Sequence, residues 1–319
     1  MIEMILALSM GMSTVEDALL IPSTPLEVPG GSGKFDFMNS DATDRLVFAC
    51  HPSKSTFTVV DLKTGTAKDV DSGVAVNGID ADPGRQRVYA AGPGNTLVVF
   101  DMKTWTKSAS LPLDGPGDSV VCDPKAGLVY VDNDDGTNLW IVNADTLKIE
   151  KTVTIKEAPE VLVRDGGRAK LFQNIKSSNS IQVVDPKQAK VTAEYTLGDL
   201  TSPHGLAIDT GLGRLFSVGK NGKLVILLAD SGKILQTIDV NKNSDQIAYD
   251  SDLRRLYIPG SSVIEVVQMG EDGGKVLGTV PVASGCHSIT VDPKTHDVWV
   301  AFSDDKGSFV QKFSPGSKG

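Results

Sequence analysis

The chain has 319 residues, 40% of them apolar, and a formal net charge of −9 at pH 7. Its basic residues are scattered, with no lysine or arginine stripe to neutralise phosphates, so nucleic acid is excluded as an expected partner. Cys50, Cys122 and Cys286 form no CxxC pair, which excludes zinc ribbons and thioredoxin-type redox motifs.

Residues 1–16 stand outside every later pattern and form an expected tail ahead of one domain spanning residues 17–319. Met4-Ile5-Leu6-Ala7-Leu8-Ser9-Met10 is an apolar run of signal-peptide length, far too short to span a membrane. Glu3 sits where a basic segment should precede such a run. It reads either as a frayed terminus or as the remnant of a signal peptide. The second reading predicts a periplasmic or secreted protein. Residues 19–28 (LLIPSTPLEV) look like a strand without neighbours of its own.

Residues 76–113 show the repeating unit most clearly. The runs 77–81, 87–90, 96–101 and 107–113 are separated by Asp82-Pro83-Gly84, by Gly92-Pro93-Gly94-Asn95 and by a third turn. Short runs rich in β-branched and aromatic residues between such turns read as strands of an antiparallel meander. Nothing here has helical period or length.

Three markers recur in step. The turn aspartates are Asp41, Asp82, Asp123, Asp165, Asp209, Asp250 and Asp292, and seven residues after each stands Phe48, Tyr89, Tyr130, Phe172, Phe216, Tyr257 or Trp299. Three residues before each stands Met38, Ile79, Val120, Leu162, Leu206, Ile247 or Ile289. All advance by 41, 41, 42, 44, 41 and 42 residues. A period of about 40–45 residues with four strands per copy is the signature of a β-propeller blade. The expected fold is therefore all-β, a seven-bladed β-propeller.

Blades are expected at 35–70, then to about 113, 155, 197, 240 and 282. The seventh has sequence for strands at 287–291, 297–301 and 308–313. Residues 19–28 are expected to supply its fourth strand and clasp the ring. Residues 268–274 read as a loop insertion in blade 6.

Five residues before each turn aspartate lies the opening of the innermost strand. That column is Asp36, Asn77, Asp118, Glu160, His204, Asp245 and His287, and six of the seven are ionisable types. The column two residues further on is wholly apolar. Seven polar side chains are thus expected around one mouth of the central channel, above an apolar floor. A solvated mouth tolerates polar residues without any function. However, four carboxylates at close quarters call for a cation or protons. Imidazole with carboxylates suits Zn²⁺, Mn²⁺ or Fe²⁺, and carboxylates with Asn77 suit Ca²⁺. One divalent metal ion is the candidate cofactor. His51 reads as a turn residue and His296 as a solvated one. There is no GxSxG, HExxH, P-loop or EF-hand motif.

Several stretches resemble the YVTN-repeat, YncE-like family of seven-bladed propellers. They are Phe35-Asp36, Val59-Val60-Asp61-Leu62-Lys63-Thr64-Gly65, Arg87-Val88-Tyr89-Ala90 and Ala158-Pro159-Glu160. Others are Phe172-Gln173-Asn174-Ile175, Val183-Val184-Asp185, Pro203-His204-Gly205-Leu206-Ala207-Ile208-Asp209 and Val291-Asp292-Pro293-Lys294-Thr295-His296. The resemblance covers residues 20–315. It implies a periplasmic or secreted protein and leaves the function open, because members range from binding modules to proteins of unassigned role. Many relatives read Phe-Asp-His where this chain has Phe35-Asp36-Phe37, so a site using that histidine is altered here.

Three readings follow. The first is a monomeric binding propeller that takes a small molecule or metal ion at the polar mouth. The second is a metal-dependent hydrolase or lyase acting on a small carbonyl compound. Its metal ligands would be Asp118, Glu160, His204 and His287, with Asp36 or Asp245 as general base. The third is a scaffold for another protein.

Overall fold

The computed structural model describes residues 18–29 and 31–317. The apolar run at residues 4–10 lies outside the described residues. Blade 3 shows the common plan. Its inner strand Gly117–Asp123 pairs with Leu128–Asn133, then Asn138–Asn143 and finally the outer Lys148–Thr154, each antiparallel to the last. Blades 1, 2, 4, 5 and 6 repeat this four-stranded order. The inner strands touch in sequence around the channel, and Ile289–Val291 of blade 7 meets Met38–Asp41 of blade 1. The ring is closed. Among the described residues no helix is long and apolar enough to cross a membrane.

The periodic aspartate has a local cause. Each one accepts a backbone N–H two or three residues ahead: Asp41 from Thr43, Asp82 from Arg85, Asp123 from Ala126, Asp165 from Gly167, Asp209 from Leu212, Asp250 from Asp252 and Asp292 from Lys294. This turn reverses the chain between the first two strands without cost to buried backbone groups. The periodic aromatic has a tertiary cause. All seven are buried at the joints between blades, where each apolar cluster draws residues from two neighbours. No blade could bury these faces alone.

Blade 7 is completed from the N-terminal side, as expected, but by two pieces of strand. Leu20–Pro22 and Leu26–Val28 both pair antiparallel with Ser308–Pro315. Pro22 and Pro25 lack the N–H groups a continuous ladder needs. The chain instead bulges at Ser23, whose N–H donates to the Lys312 carbonyl at 2.8 Å. The expected insertion at 268–274 is shorter than that span. Strands Val263–Met269 and Gly274–Pro281 take Gln268, Met269 and Gly274, leaving only the short turn 270–273, which Gly270 N–H closes on the Gly273 carbonyl at 2.7 Å.

The channel is divided by one side chain. Gln246, just before the short inner strand Ala248–Asp250, reaches past blade 7 to blade 1. Its Oε1 accepts from Met38 N–H at 2.9 Å and from Ile289 N–H at 3.4 Å, and its Nε2 donates to the Met38 carbonyl at 2.7 Å. On one side lies a channel cavity of about 280 Å³ whose wall combines the apolar column Met38, Ile79, Val120, Leu162, Leu206 and Ile289 with polar groups such as Asn39 and Ser119. On the other side lies the polar mouth.

Candidate functional site

The mouth holds a cavity of about 190 Å³. Six members of the polar column line it: Asp36, Asn77, Asp118, Glu160, His204 and Asp245. The seventh, His287, sits at its edge with Nδ1 2.9 Å from an Asp245 oxygen. Lys34 and Asp134 line the cavity as well. The column converges because every blade begins at the same register, so equivalent side chains project from one rim.

The rim divides into two arcs. Blades 1 to 3 supply an acidic arc. Here Asn77 donates from Nδ2 to Asp118 at 3.1 Å, while among the described residues no ion pair closes on Asp36, Asp118 or Asp134. Behind Asp118 lies the fully buried Asp132, which accepts from Ser119 N–H at 2.7 Å and from Gln173 Nε2 at 2.9 Å. Burial, then the neighbouring Asp132, Asp36, Glu160 and Asp134, drives the Asp118 carboxyl far above its ordinary range. Burial also raises Asp132, against the hydrogen bonds from Ser119 and Gln173.

Blades 4 to 6 supply a compensated arc. Lys176 pairs with Glu160 and Lys220 pairs with Asp245. Burial alone would depress Lys176, but the bond to Glu160 holds it above the usual lysine value. Lys220 falls to about 8, chiefly through burial, and still carries its proton at neutral pH. His204 is lowered by burial against the pull of Glu160, and His287 is lowered to about 4 by burial and then Lys34. Both imidazoles are therefore neutral at pH 7. His204 places Nδ1 2.9 Å from the Ser202 carbonyl, so that nitrogen carries the proton. Its Nε2 lone pair then faces Glu160, 3.5 Å away.

The charge crowding expected at the mouth is thus relieved by lysines at Glu160 and Asp245 and left in place on the acidic arc. Asp134, Lys176 and Lys220 each stand eleven residues after their turn aspartates Asp123, Asp165 and Asp209. They form a second column, at the turn between second and third strands, that the first column's pattern did not bring to attention. Blades 1, 2, 6 and 7 carry Pro52, Pro93, Ser261 and Ser303 there, so its charge is confined to three blades.

The residues considered as metal ligands are placed in three separate contacts. His204 meets Glu160, Asp118 meets Asn77, and His287 meets Asp245. Among the described residues no group of three or more His, Cys, Asp or Glu side chains is spaced to hold a metal ion. Of the two residues considered as general base, Asp245 is engaged by Lys220 and His287, and Asp36 lies in the acidic arc.

The other two histidines differ from expectation. His51 is not a turn residue. It ends the strand Leu46–His51, is fully buried, and stacks on Phe35 with ring centroids 4.3 Å apart. His296 is not simply solvated, because its Nδ1 lies 2.8 Å from Asp250 of blade 6 and ties that blade to blade 7. The local sequence has a turn-like context in both cases; the packing partner of His51 comes from the start of its own blade and that of His296 from the neighbouring blade.

Asp36 is a measurable case. Burial pushes its carboxyl up to about 6, helped by Glu160 and Asp134 and opposed by Lys34 and His287. A carboxyl raised on folding destabilises the fold wherever it is ionised, so stability falls as pH rises from about 4 through about 6. Asp36→Asn removes that burden, worth up to about 3 kcal/mol. The variant is expected to melt higher than the parent at pH 8 and level with it below about pH 4. Parallel melting curves at the two pH values check this, and an unchanged midpoint at pH 8 refutes it.

No family model matches the chain, and no curated protein matches it. The YncE-like resemblance accordingly rests on the quoted segments alone. Solved structures do match. The RRP9 WD40 repeats superpose with a TM-score of 0.80 at 9% identity, over 92% of this chain and 99% of that one. A chain of the mitotic checkpoint complex gives 0.79 at 11% identity, over 99% and 98%. Hydrazine synthase of Kuenenia stuttgartiensis gives 0.75 at 12% identity, over 86% and 94%. What they share is the propeller fold. Identity this low carries no activity across.

Proposed function

We propose that this propeller is a non-enzymatic binding module that receives a basic side chain, lysine or arginine, of a partner protein in the acidic arc of its mouth. The observation that carries this reading is the arc itself. Asp36, Asp118 and Asp134 face one cavity without an ion-pair partner among the described residues, while the opposite arc is closed by lysines. Carboxylates raised by burial are relieved when a cation arrives, so the binding free energy comes partly from restoring their charge. Size points the same way. Small-molecule sites usually enclose roughly 300–1,000 Å³, whereas the mouth holds about 190 Å³, the scale of a single side chain. WD40-type neighbours, one of them from a named complex, support a protein partner by analogy of fold.

Calorimetric titration with capped Gly-Arg-Gly and Gly-Lys-Gly tests the reading, with capped Gly-citrulline-Gly as the uncharged control. Saturable binding of the basic peptides is expected, weakened about tenfold or more in Asp118→Asn with Asp134→Asn. Equal binding of the citrulline peptide overturns it. So does a stoichiometric metal found in the purified protein and lost from a His204→Ala, His287→Ala variant, which would turn the mouth into a metal centre.

A further inference from the structure

A second cavity lies on the face opposite the polar mouth, at the joint between blades 3 and 4. The joints on either side are each bridged by an arginine that this joint lacks. Between blades 2 and 3, Arg85 grips Asp145 through Nε at 2.7 Å and Nη2 at 3.0 Å, and Arg87 donates to the Ala144 carbonyl at 2.6 Å. Between blades 4 and 5, Arg168 grips Asp230 with Nε at 2.7 Å and Nη2 at 3.4 Å. In register, Arg85 and Arg168 each stand three residues after a turn aspartate, and so does Ala126 of blade 3. Leu128 replaces Arg87 five residues after the same mark. The acceptor has changed too, since Lys187 of blade 4 occupies the register of Asp145 and Asp230.

Loss of the arginine, together with reversal of its partner's charge, leaves a groove of about 320 Å³ instead of a bridge. Its wall is apolar, made by Leu128, Tyr130 and Ile141. Its rim is basic. Arg164 is neutralised by Asp123 at 3.1 Å and Lys170 by Asp185 at 2.9 Å. Lys151 donates only to the Lys187 carbonyl, at 2.8 Å, and among the described residues neither Lys151 nor Lys187 has an acidic partner. The volume lies at the lower end of small-molecule sites, about 300–1,000 Å³, well above that of the mouth.

We propose that the groove between blades 3 and 4 is a binding site for a small aromatic carboxylate, its ring on Tyr130 and Leu128 and its anionic group at Lys151 and Lys187. The ring removes apolar wall from water, and the carboxylate supplies the negative charge that Asp145 and Asp230 provide at the neighbouring joints.

The test uses the full chain and 1-naphthoate, with 1-naphthalenemethanol as its uncharged counterpart, followed by ligand-observed NMR and calorimetry. The parent is expected to bind naphthoate saturably and about tenfold more tightly than the alcohol. Ala126→Arg with Lys187→Asp rebuilds the bridge the chain already makes at two other joints, and is expected to weaken naphthoate about tenfold or more without lowering the melting point. Lys187→Ala, which leaves the groove open, is expected to abolish the preference for the anion. No saturable binding by the parent, undiminished binding in the bridged variant, or an unaltered preference in Lys187→Ala overturns the proposal. If the bridged variant fails to fold, Lys187→Ala decides alone.

Discussion

Removing residues 1–30 is expected to lower the melting midpoint by about 10 °C, whereas removing residues 1–15, which keeps both pieces of the clasp, costs far less. Leu20 and Val28 are 2% and 1% exposed and enter the apolar clusters at the two joints of blade 7. Burying two such side chains stabilises the fold by about 1.5–3 kcal/mol each. The ladder to Ser308–Pro315 is lost with them. That strand then becomes an open edge, so aggregation at the transition is part of the expected result. Midpoints of the two truncations measured side by side decide the matter. Equal values would mean that the ring holds without its clasp.

Gln246→Leu is expected to destabilise the protein by about 3–4 kcal/mol, although leucine fills a similar volume. The amide satisfies both backbone groups of Met38 and also reaches Ile289 N–H. An apolar replacement leaves those groups without their partner, at about 1–3 kcal/mol for each unpaired group. Gln246→Glu keeps the acceptor and loses the donor, and should fall between leucine and the parent. Denaturant midpoints at constant slope measure the difference. A leucine variant within about 0.5 kcal/mol of the parent would mean that water takes the place of the amide.

Much of the ring was legible because its repeated signals are local. An aspartate that must cap a turn, and an aromatic that must cover a blade face, recur at every copy whatever their neighbours. The polar column was legible for the same reason: equal register places its members on one rim. The lysines of the mouth were harder to see. Lys176 and Lys220 sit at turns where a charged residue is unremarkable; strand pairing within blade 4 puts Lys176 on Glu160, and the adjacency of blades 5 and 6 puts Lys220 on Asp245. His51 illustrates a related limit, since its stacking partner Phe35 stands just ahead of the inner strand of the same blade, beyond the turn that separates the two strands.

The sequence by itself determined the number of blades, the strand order within each, the buried aromatic layer and the rim on which the polar column stands. All of these follow from spacing and from backbone chemistry that acts within a few residues. Only the tertiary structure decided the division of the mouth into an acidic and a lysine-closed arc, the partition of the channel by Gln246, and the open groove between blades 3 and 4. Each of these depends on which side chains from separate strands come within a few ångströms. Charge compensation and hydrogen bonding fall off too steeply with distance for sequence spacing alone to assign their partners.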